Sequence, residues 1–324
     1  MPHAPVGGAV NSFSLLVTFL EEQGLELVVV NSNRFRNRLL VFLYVIFKTL
    51  TNLTGTTKVM LNVSGNGFRY LSPICFLLSS LFRKKYIFRI FGGQFDLQYS
   101  QLSGIEKWIH TRTTFKSNLL FLQTKQLINY FQNKSKNIAW LPTARNKVAE
   151  VAKSEYRRKL IFLGQLFKEK GSEEVSWLAE RLDPAYTVHV YGPLKDATSK
   201  FLFEGKSYYQ GVLKPDEVSE RMSDYDVLLL PTYYPGEGYP GVIIEAFSQG
   251  LPCIASDWRA IPELITPAVN GYLVPPKDRQ ALLSAVEMID ETNYPTLSSG
   301  AFSSFQTYDS ARVLGKALAA IKAC

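Results

Sequence analysis

Residues 223–276 read SDYDVLLLPTYYPGEGYPGVIIEAFSQGLPCIASDWRAIPELITPAVNGYLVPP. Val227 to Leu230 form an apolar run between Asp226 and Pro231, the pattern of a strand buried on both faces. A loop rich in Gly, Pro and Tyr follows and carries Glu237. Pro240 suits a first helical turn, because the N–H it lacks would have no intrahelical partner there. The helix it opens carries Glu245 and stops at Gly250, with Pro252 just beyond. A strand resumes over Cys253 to Ala255. The spacing predicts one strand–loop–helix–strand unit, with its loop at the carboxyl end of the strand, where doubly wound sheets place ligands.

Glu237 on that loop and Glu245 on that helix are acceptor-only side chains beside a glycine-lined turn. Such a pair suits a ligand rich in hydroxyl donors, a sugar or a ribose. Taken singly, each reads more readily as a solvated surface glutamate, since Glu is mostly exposed.

Working outward, the second half alternates strands and helices. Leu160 to Gly164 is a strand, followed by Gln165 to Gly171 and a helix through Arg181. Thr187 to Tyr191 is a strand ending at Gly192-Pro193. Tyr208 to Gly211 is short and extended, and Pro215 to Met222 is helical. This alternation implies a parallel sheet with right-handed crossovers. His189 reads as a packed strand residue, and Pro142 to Lys159 as a charged linker.

The first half begins with Gly7-Gly8 ahead of a helix over Phe13 to Gln23, which Gly24 ends. That glycine pair would let backbone N–H groups meet an anion, or would form a plain capped turn. A strand ordinarily leads into such a loop, and here the chain starts inside it, so a first strand is expected to be missing. Strands are expected at Leu25 to Val30, Lys58 to Val63, Tyr86 to Ile90, Leu119 to Leu122 and Ile138 to Leu141. Ser64-Gly65-Asn66-Gly67 is a weak dinucleotide signal, lacking a third glycine and the later acidic residue. Gly92 and Gly93 close a strand, and Asp96 after them would contact a hydroxyl or cap the next segment. His110, in a polar helical stretch, is expected on the surface.

At 324 residues the chain exceeds one ordinary core, and two domains are the expectation. Its 46% apolar and 20% charged content describes a globular protein, neither disordered nor membrane-spanning. Residues 1–150 hold 18 Lys and Arg against 6 Asp and Glu, whereas residues 151–324 hold 18 against 22. The basic half therefore calls for an anionic partner. Leu39 to Phe47 is too short an apolar run to cross a bilayer. Its basic and aromatic flanks fit a helix lying in a membrane interface, or else a core helix. Leu71 to Phe82, followed by Arg83, Lys84 and Lys85, repeats that character. An anionic membrane surface is the expected partner of this half. Nucleic acid is not, since the aromatics sit in apolar helices. Cys75, Cys253 and Cys324 form no disulfide framework, which points to a reduced, cytosolic chain. No leader of basic then apolar residues is visible. No His, Cys and carboxylate cluster has metal-ligand spacing. Asp224-Tyr225-Asp226 alternates as the start of a strand does.

From Leu160 to about Asp278 the chain resembles glycosyltransferase family 4. The resemblance rests on FLGQLFKEKG, VHVYGP, YQGVL, YDVLLLPT, EGYPGVIIEAFSQGLPCIAS, IPEL and NGYLVPP, in family order. It implies the GT-B fold: an α/β chain of two Rossmann-like domains whose parallel sheets face each other across a cleft. Residues 1–145 would bind the acceptor, 146–309 the nucleotide-sugar donor, and a helix at 310–324 would pack back on the first domain. The implied activity is retaining transfer of a hexose from a nucleotide diphosphate sugar to a glycan or lipid-linked acceptor in bacterial surface-polysaccharide synthesis. It would need neither metal nor further cofactor, and would take place in the cytoplasm at the inner face of the plasma membrane. The resemblance makes Glu237 and Lys170 the catalytic pair. Glu237 would accept from the sugar hydroxyls, and Lys170 would neutralise the diphosphate. Glu245 would hold the ribose. Gly7, Gly8, Gln165, Gly192, Gly238, Tyr239 and Gly241 would line the donor, and Gly92, Gly93 and Asp96 would lie on the acceptor side. Two positions depart from the family: Gln165 stands where arginine is usual, and Phe91 where histidine is common. The alternative function is a nucleotide-sugar-binding scaffold without activity.

Overall fold

The computed structural model describes residues 8–31, 37–65, 67–148 and 152–324. The chain divides into two compact units, Met1–Pro142 with Val313–Cys324, and Thr143–Arg312.

The first unit runs α1 (Gly8–Glu22), α2 (Arg38–Asn52), β1 (Lys58–Ser64), α3 (Gly67–Leu81), β2 (Lys85–Phe91), α4 (Phe95–Ser100), α5 (Gly104–Arg112), β3 (Leu119–Leu122), α6 (Lys125–Phe131) and β4 (Ile138–Trp140). Its strands form one parallel sheet in the order β1-β2-β3-β4, with Val63 opposite Ile90 and Phe88 opposite Leu120. Alternation along β2 sends Tyr86, Phe88 and Ile90 into a core with Phe68, Phe95, Phe115 and Phe131. The Phe95 and Phe131 rings stack at 4.5 Å. A polar thread crosses this core: Tyr86 OH donates to Ser72 Oγ at 3.0 Å, Ser72 Oγ meets Thr114 Oγ1 at 2.8 Å, and Thr114 meets His110 Nδ1 at 2.8 Å. His110 is thus buried at 1% exposure, correcting its expected surface position. Its helix is mostly polar, so no apolar stripe marked the inner face, and the ring packs on Phe68 at 5.2 Å. On the opposite face of β2, Arg89 is buried with Nη1 unpaired and its guanidinium 4.1 Å from the Phe91 ring centroid. Burial pushes that guanidinium down to about 9.

Two further expectations for this unit are corrected. The first helix begins at Gly8 rather than Phe13. It closes by a Schellman pattern, Leu25 N–H donating to Leu20 C=O at 3.1 Å with Gly24 at φ +78°. Leu25 to Val30 forms no strand, and Val28 and Val29 are exposed. A β-branched run becomes a strand only where a neighbour accepts its backbone groups, and no ladder reaches this one among the described residues. Gly7 and Asn66 lie outside the described residues.

The second unit runs β5 (Lys159–Leu163), α7 (Ser172–Ala179), β6 (Thr187–Tyr191), α8 (Ala197–Phe203), α9 (Val218–Ser223), β7 (Val227–Leu230), α10 (Gly241–Ser248), β8 (Cys253–Ser256), β9 (Gly271–Val274), α11 (Arg279–Glu287) and α12 (Tyr294–Phe305). Its parallel sheet has the order β6-β5-β7-β8-β9. β7 and β8 are buried at every residue, as a strand covered on both faces must be. The last helix, α13 (Ser310–Ala323), passes into the first unit from Val313. There Lys58 Nζ donates to the terminal carbonyls of Ile321, Lys322 and Cys324, a cation at the negative end of a helix.

The segment expected as a charged linker is instead tied to the second unit over its described residues. Thr143 and Ala144 are buried. Lys153 Nζ donates to Ser223 C=O at 2.6 Å and to Tyr225 C=O, the last carbonyls around the end of α9. Asp226 is fully buried and accepts from Arg157 N–H at 2.8 Å, Lys159 N–H at 3.0 Å and the Arg157 guanidinium at 3.0 Å. The Asp226 side chain therefore fastens the entry of β5 to that of β7, while the Asp224 carboxylate faces Arg221 at 3.3 Å.

Candidate active site

In the second sheet the chain leaves β5 for β6 on one side, then returns to place β7 on the other. Leu160 of β5 is flanked by Val188 and Val227. This reversal is a topological switch point, where doubly wound sheets place ligands, and the loops leaving β5 and β7 lie against each other there, Tyr233 N–H donating to Glu169 C=O at 2.7 Å. They are residues 164–171 and 231–240, the loops that carry Gln165, Lys170 and Glu237.

The two loops are held by contacts that only glycine permits. Gly171 sits at φ +81°, and a Cβ there would lie 2.4 Å from Pro231 C=O. Gly192, at φ +146°, comes so close to the β5 loop that a Cβ would lie 1.7 Å from Gly164 C=O. Lys170 ends a short 3₁₀ turn, Lys168–Lys170, which Gly171 closes. From there its Nζ reaches Glu237 Oε2 at 2.6 Å. Glu237 is 6% exposed and also accepts from the buried Thr232 hydroxyl at 3.1 Å. The Lys170 ammonium further lies 5.3 Å from the Tyr234 ring centroid. The carboxylate is held in low dielectric by one ammonium and one hydroxyl.

A second cluster stands at the start of α10. Arg145 Nε donates to Glu245 Oε1, and the guanidinium lies over Gly241, where a Cβ would fall 1.9 Å from Nη2. Arg145 is anchored through its backbone, its N–H donating to Tyr308 C=O at 3.1 Å and its C=O accepting from Ser310 N–H at 2.8 Å. Tyr239 is buried, donates its hydroxyl to Glu263, and accepts from Thr143 at its carbonyl at 2.9 Å. Gly238 beside it is buried and Gln165 is exposed.

Of the candidate residues, the structure joins Lys170 to Glu237 directly, and sets Gly192 against the Gly164–Gln165 backbone. Gly238, Tyr239, Gly241 and Glu245 continue from the Glu237 loop into α10. Gly8, Gly92, Gly93 and Asp96 belong to the first unit. Gly8 starts α1 and is exposed. Gly92, at φ +92°, donates its N–H to Gln123 Oε1 at 3.1 Å. Asp96 is buried in the first turn of α4, where Gln94 holds the N-cap position. Arg145, Thr232, Gln123 and Glu263 escaped sequence reasoning. Arg145 lies a hundred residues from its partner inside a stretch that looked solvated, so nothing local marks it. Thr232 was findable, being a small hydroxyl placed just after a fully buried strand.

The fold of this chain is GT-B, an α/β arrangement with two parallel sheets. Residues 144–293 match the family model described as Glycosyl transferases group 1, and that stretch holds both clusters. The chain is similar to the putative colanic acid biosynthesis glycosyltransferase WcaL of Salmonella typhimurium, 31% identical over 33% of this chain and 27% of the relative. It is similar also to the amylovoran biosynthesis glycosyltransferase AmsK of Erwinia amylovora, 32% identical over 30% of this chain and 26% of that one. These alignments span about a quarter of each relative's length. The crystal structure of Anabaena HepE in complex with UDP superposes with a TM-score of 0.75 at 15% identity, over 99% of this chain and 97% of that one.

Proposed function

We propose that the protein is a retaining glycosyltransferase that moves a hexose from a nucleotide diphosphate sugar to a glycan or lipid-linked acceptor in surface-polysaccharide synthesis. The observation that carries this reading is the ion pair between half-buried Lys170 and buried Glu237 at the switch point of the second sheet. Support comes from the family match over that unit, from relatives named for polysaccharide synthesis, and from a similar fold solved with UDP. In the proposed reaction the bond between the sugar C1 and the leaving phosphate oxygen breaks, and the acceptor oxygen bonds to C1 on the same face. The acceptor's proton passes to the departing diphosphate. Positive charge grows on the sugar and negative charge on the leaving group. Lys170 stabilises the latter, and Glu237 accepts from the sugar hydroxyls. Electrostatic stabilisation of this kind is commonly the largest catalytic contribution. Glu245, steered by Arg145, holds the ribose. No metal takes part in this scheme.

The test is incubation with a panel of UDP-, GDP- and ADP-sugars, following nucleotide release. One donor is expected to turn over in EDTA, and Glu237→Ala is expected to remove that turnover while leaving thermal unfolding near wild type. Turnover that EDTA abolishes and Mg²⁺ restores would overturn the metal-free scheme. Turnover unaffected by Glu237→Ala would overturn the site.

A further inference from the structure

The Glu237 loop carries a tyrosine that the proposed chemistry leaves unused. Tyr234 is 37% exposed, yet its backbone is fixed by three hydrogen bonds. Its N–H donates to Thr232 Oγ1 at 3.2 Å, and its C=O accepts from Glu237 N–H at 3.0 Å and from Trp258 Nε1 at 2.9 Å. Its ring is seated as well. Phe167 stands perpendicular to it with centroids 5.7 Å apart, and Gly236 lies so close that a Cβ there would fall 2.5 Å from Cε1. A merely solvated tyrosine needs none of this, since an exposed ring held in one place gives up rotamer freedom that something must offset.

What the ring meets is Lys170, whose Nζ stands 5.3 Å over its centroid. The contacts close a circle. Tyr234 N–H donates to the Thr232 hydroxyl, that hydroxyl donates to Glu237 Oε2 at 3.1 Å, and Lys170 Nζ donates to the same oxygen at 2.6 Å before its ammonium returns to the ring. Lys170 is thus held from two sides, by a carboxylate and by a π face, and the two holders leave different things available. A carboxylate neutralises the ammonium and competes with a diphosphate for it. An aromatic face attracts the cation through its quadrupole and leaves the charge whole. Lysine is a point charge on a flexible four-carbon stem, so its placement has to come from its surroundings. We propose that Tyr234 is a positioning residue: its ring holds the Lys170 ammonium in place while the partner of that ammonium changes from Glu237 to the donor's diphosphate. The inference rests on the activity proposed above, in which Glu237 turns to the sugar hydroxyls and Lys170 to the leaving group. Phe167 and Trp258 serve it in turn, one bracing the ring and the other the backbone.

The experiment measures kcat and donor KM from nucleotide release, with whichever of the UDP-, GDP- and ADP-sugars turns over. The variants are Tyr234→Leu, Tyr234→Phe, Lys170→Ala, and Lys170→Ala combined with Tyr234→Leu. Tyr234→Leu removes the π face and is expected to lower kcat about ten-fold, within the range a cation–π contact carries, with donor KM and thermal unfolding near wild type. Tyr234→Phe restores the ring and is expected to recover most of that loss. In the Lys170→Ala background, Tyr234→Leu is expected to cost nothing further, since a residue acting through Lys170 has nothing left to position. A wild-type kcat in Tyr234→Leu would overturn the inference and leave the Lys170–Glu237 site standing. A loss in Tyr234→Phe as large as in Tyr234→Leu would overturn it too, by moving the effect to the hydroxyl. Multiplying losses in the double variant, or a raised KM with kcat unchanged, would make the ring a substrate contact instead. Were no donor turned over, or were Lys170→Ala without effect, the proposed activity itself would fall and the positioning role with it.

Discussion

The two units are built from the same alternation of parallel strands and helices, yet their sheets are wound differently. The second reverses direction between β5 and β7, and Lys170 and Glu237 meet at that reversal. The first proceeds β1-β2-β3-β4 in one direction, and its described strands contain no reversal. The surfaces differ too. Of the 21 exposed large apolar side chains among the described residues, 15 lie in the first unit, the one that draws its residues from the basic half. In the second unit, the buried carboxylates Asp226 and Glu237 have a cation each, while buried Glu174 keeps Oε2 without a hydrogen-bond partner. In the first, the buried Arg89 keeps Nη1 unpaired. The lesson is one of division of labour. The second unit sets cations against two of its buried carboxylates where its sheet reverses, whereas the first leaves more of its large apolar side chains exposed.

The largest effect that would sharpen this contrast is on turnover. Lys170→Ala removes the cation that, among the described residues, stands against Glu237 and leaves that carboxylate buried. Loss of one preorganised charge stabiliser should lower kcat by about 100-fold or more, read from nucleotide release with whichever donor of the panel turns over. A kcat within a few-fold of wild type would show that the switch point at β5 and β7 is not where charge develops.

The first unit should reveal itself in acid. Burial holds His110 neutral and pushes its imidazole down to about 4 from the usual value near 6.5, with nearby Glu106 only partly opposing the shift. The unfolded chain therefore binds a proton that the folded unit refuses. Stability is fully present above about pH 6.5 and is lost as pH falls toward 4, by up to about 3 kcal/mol. His110→Asn retains a partner for Thr114 without the titration. Hydrogen exchange of the β2 and β3 amides, which reports this unit alone, should show wild type losing protection between pH 6.5 and 4 faster than the variant. Parallel pH profiles would break the assignment.

Legibility followed the same division. β5 through β8 could be placed from apolar runs and glycine punctuation, most plainly β7 and β8, because strands buried on both faces leave an unmistakable composition. The Lys170–Glu237 contact, 67 residues apart, became visible only once the strand order set two loops side by side. In the first unit periodicity located α2 and α3 as helices. It could not say which way their apolar arcs faced, since an arc reads alike whether it turns to a core or outward. The run Leu25 to Val30 has strand propensity without a strand, since propensity cannot supply a ladder partner.

The smallest effect concerns Arg145, and it tests whether the second unit's neutralisation serves binding. A cation over the first turn of α10 opposes the helix dipole, which favours anions at that end. Its position makes sense if its task is to orient Glu245, whose Oε1 it engages from a side chain only 13% exposed. Arg145→Gln keeps a hydrogen-bond donor near Gly241 but loses the charge and the planar fork. A positioning role for a ribose-holding carboxylate affects ground state and transition state alike, so the donor KM should rise about ten-fold with kcat nearly unchanged. Arg145→Lys should recover little, because an ammonium cannot reproduce the Nε geometry. Were kcat to fall with KM constant, Arg145 would act on the leaving group itself, and the two clusters at β7 and α10 would have to be read as one catalytic surface.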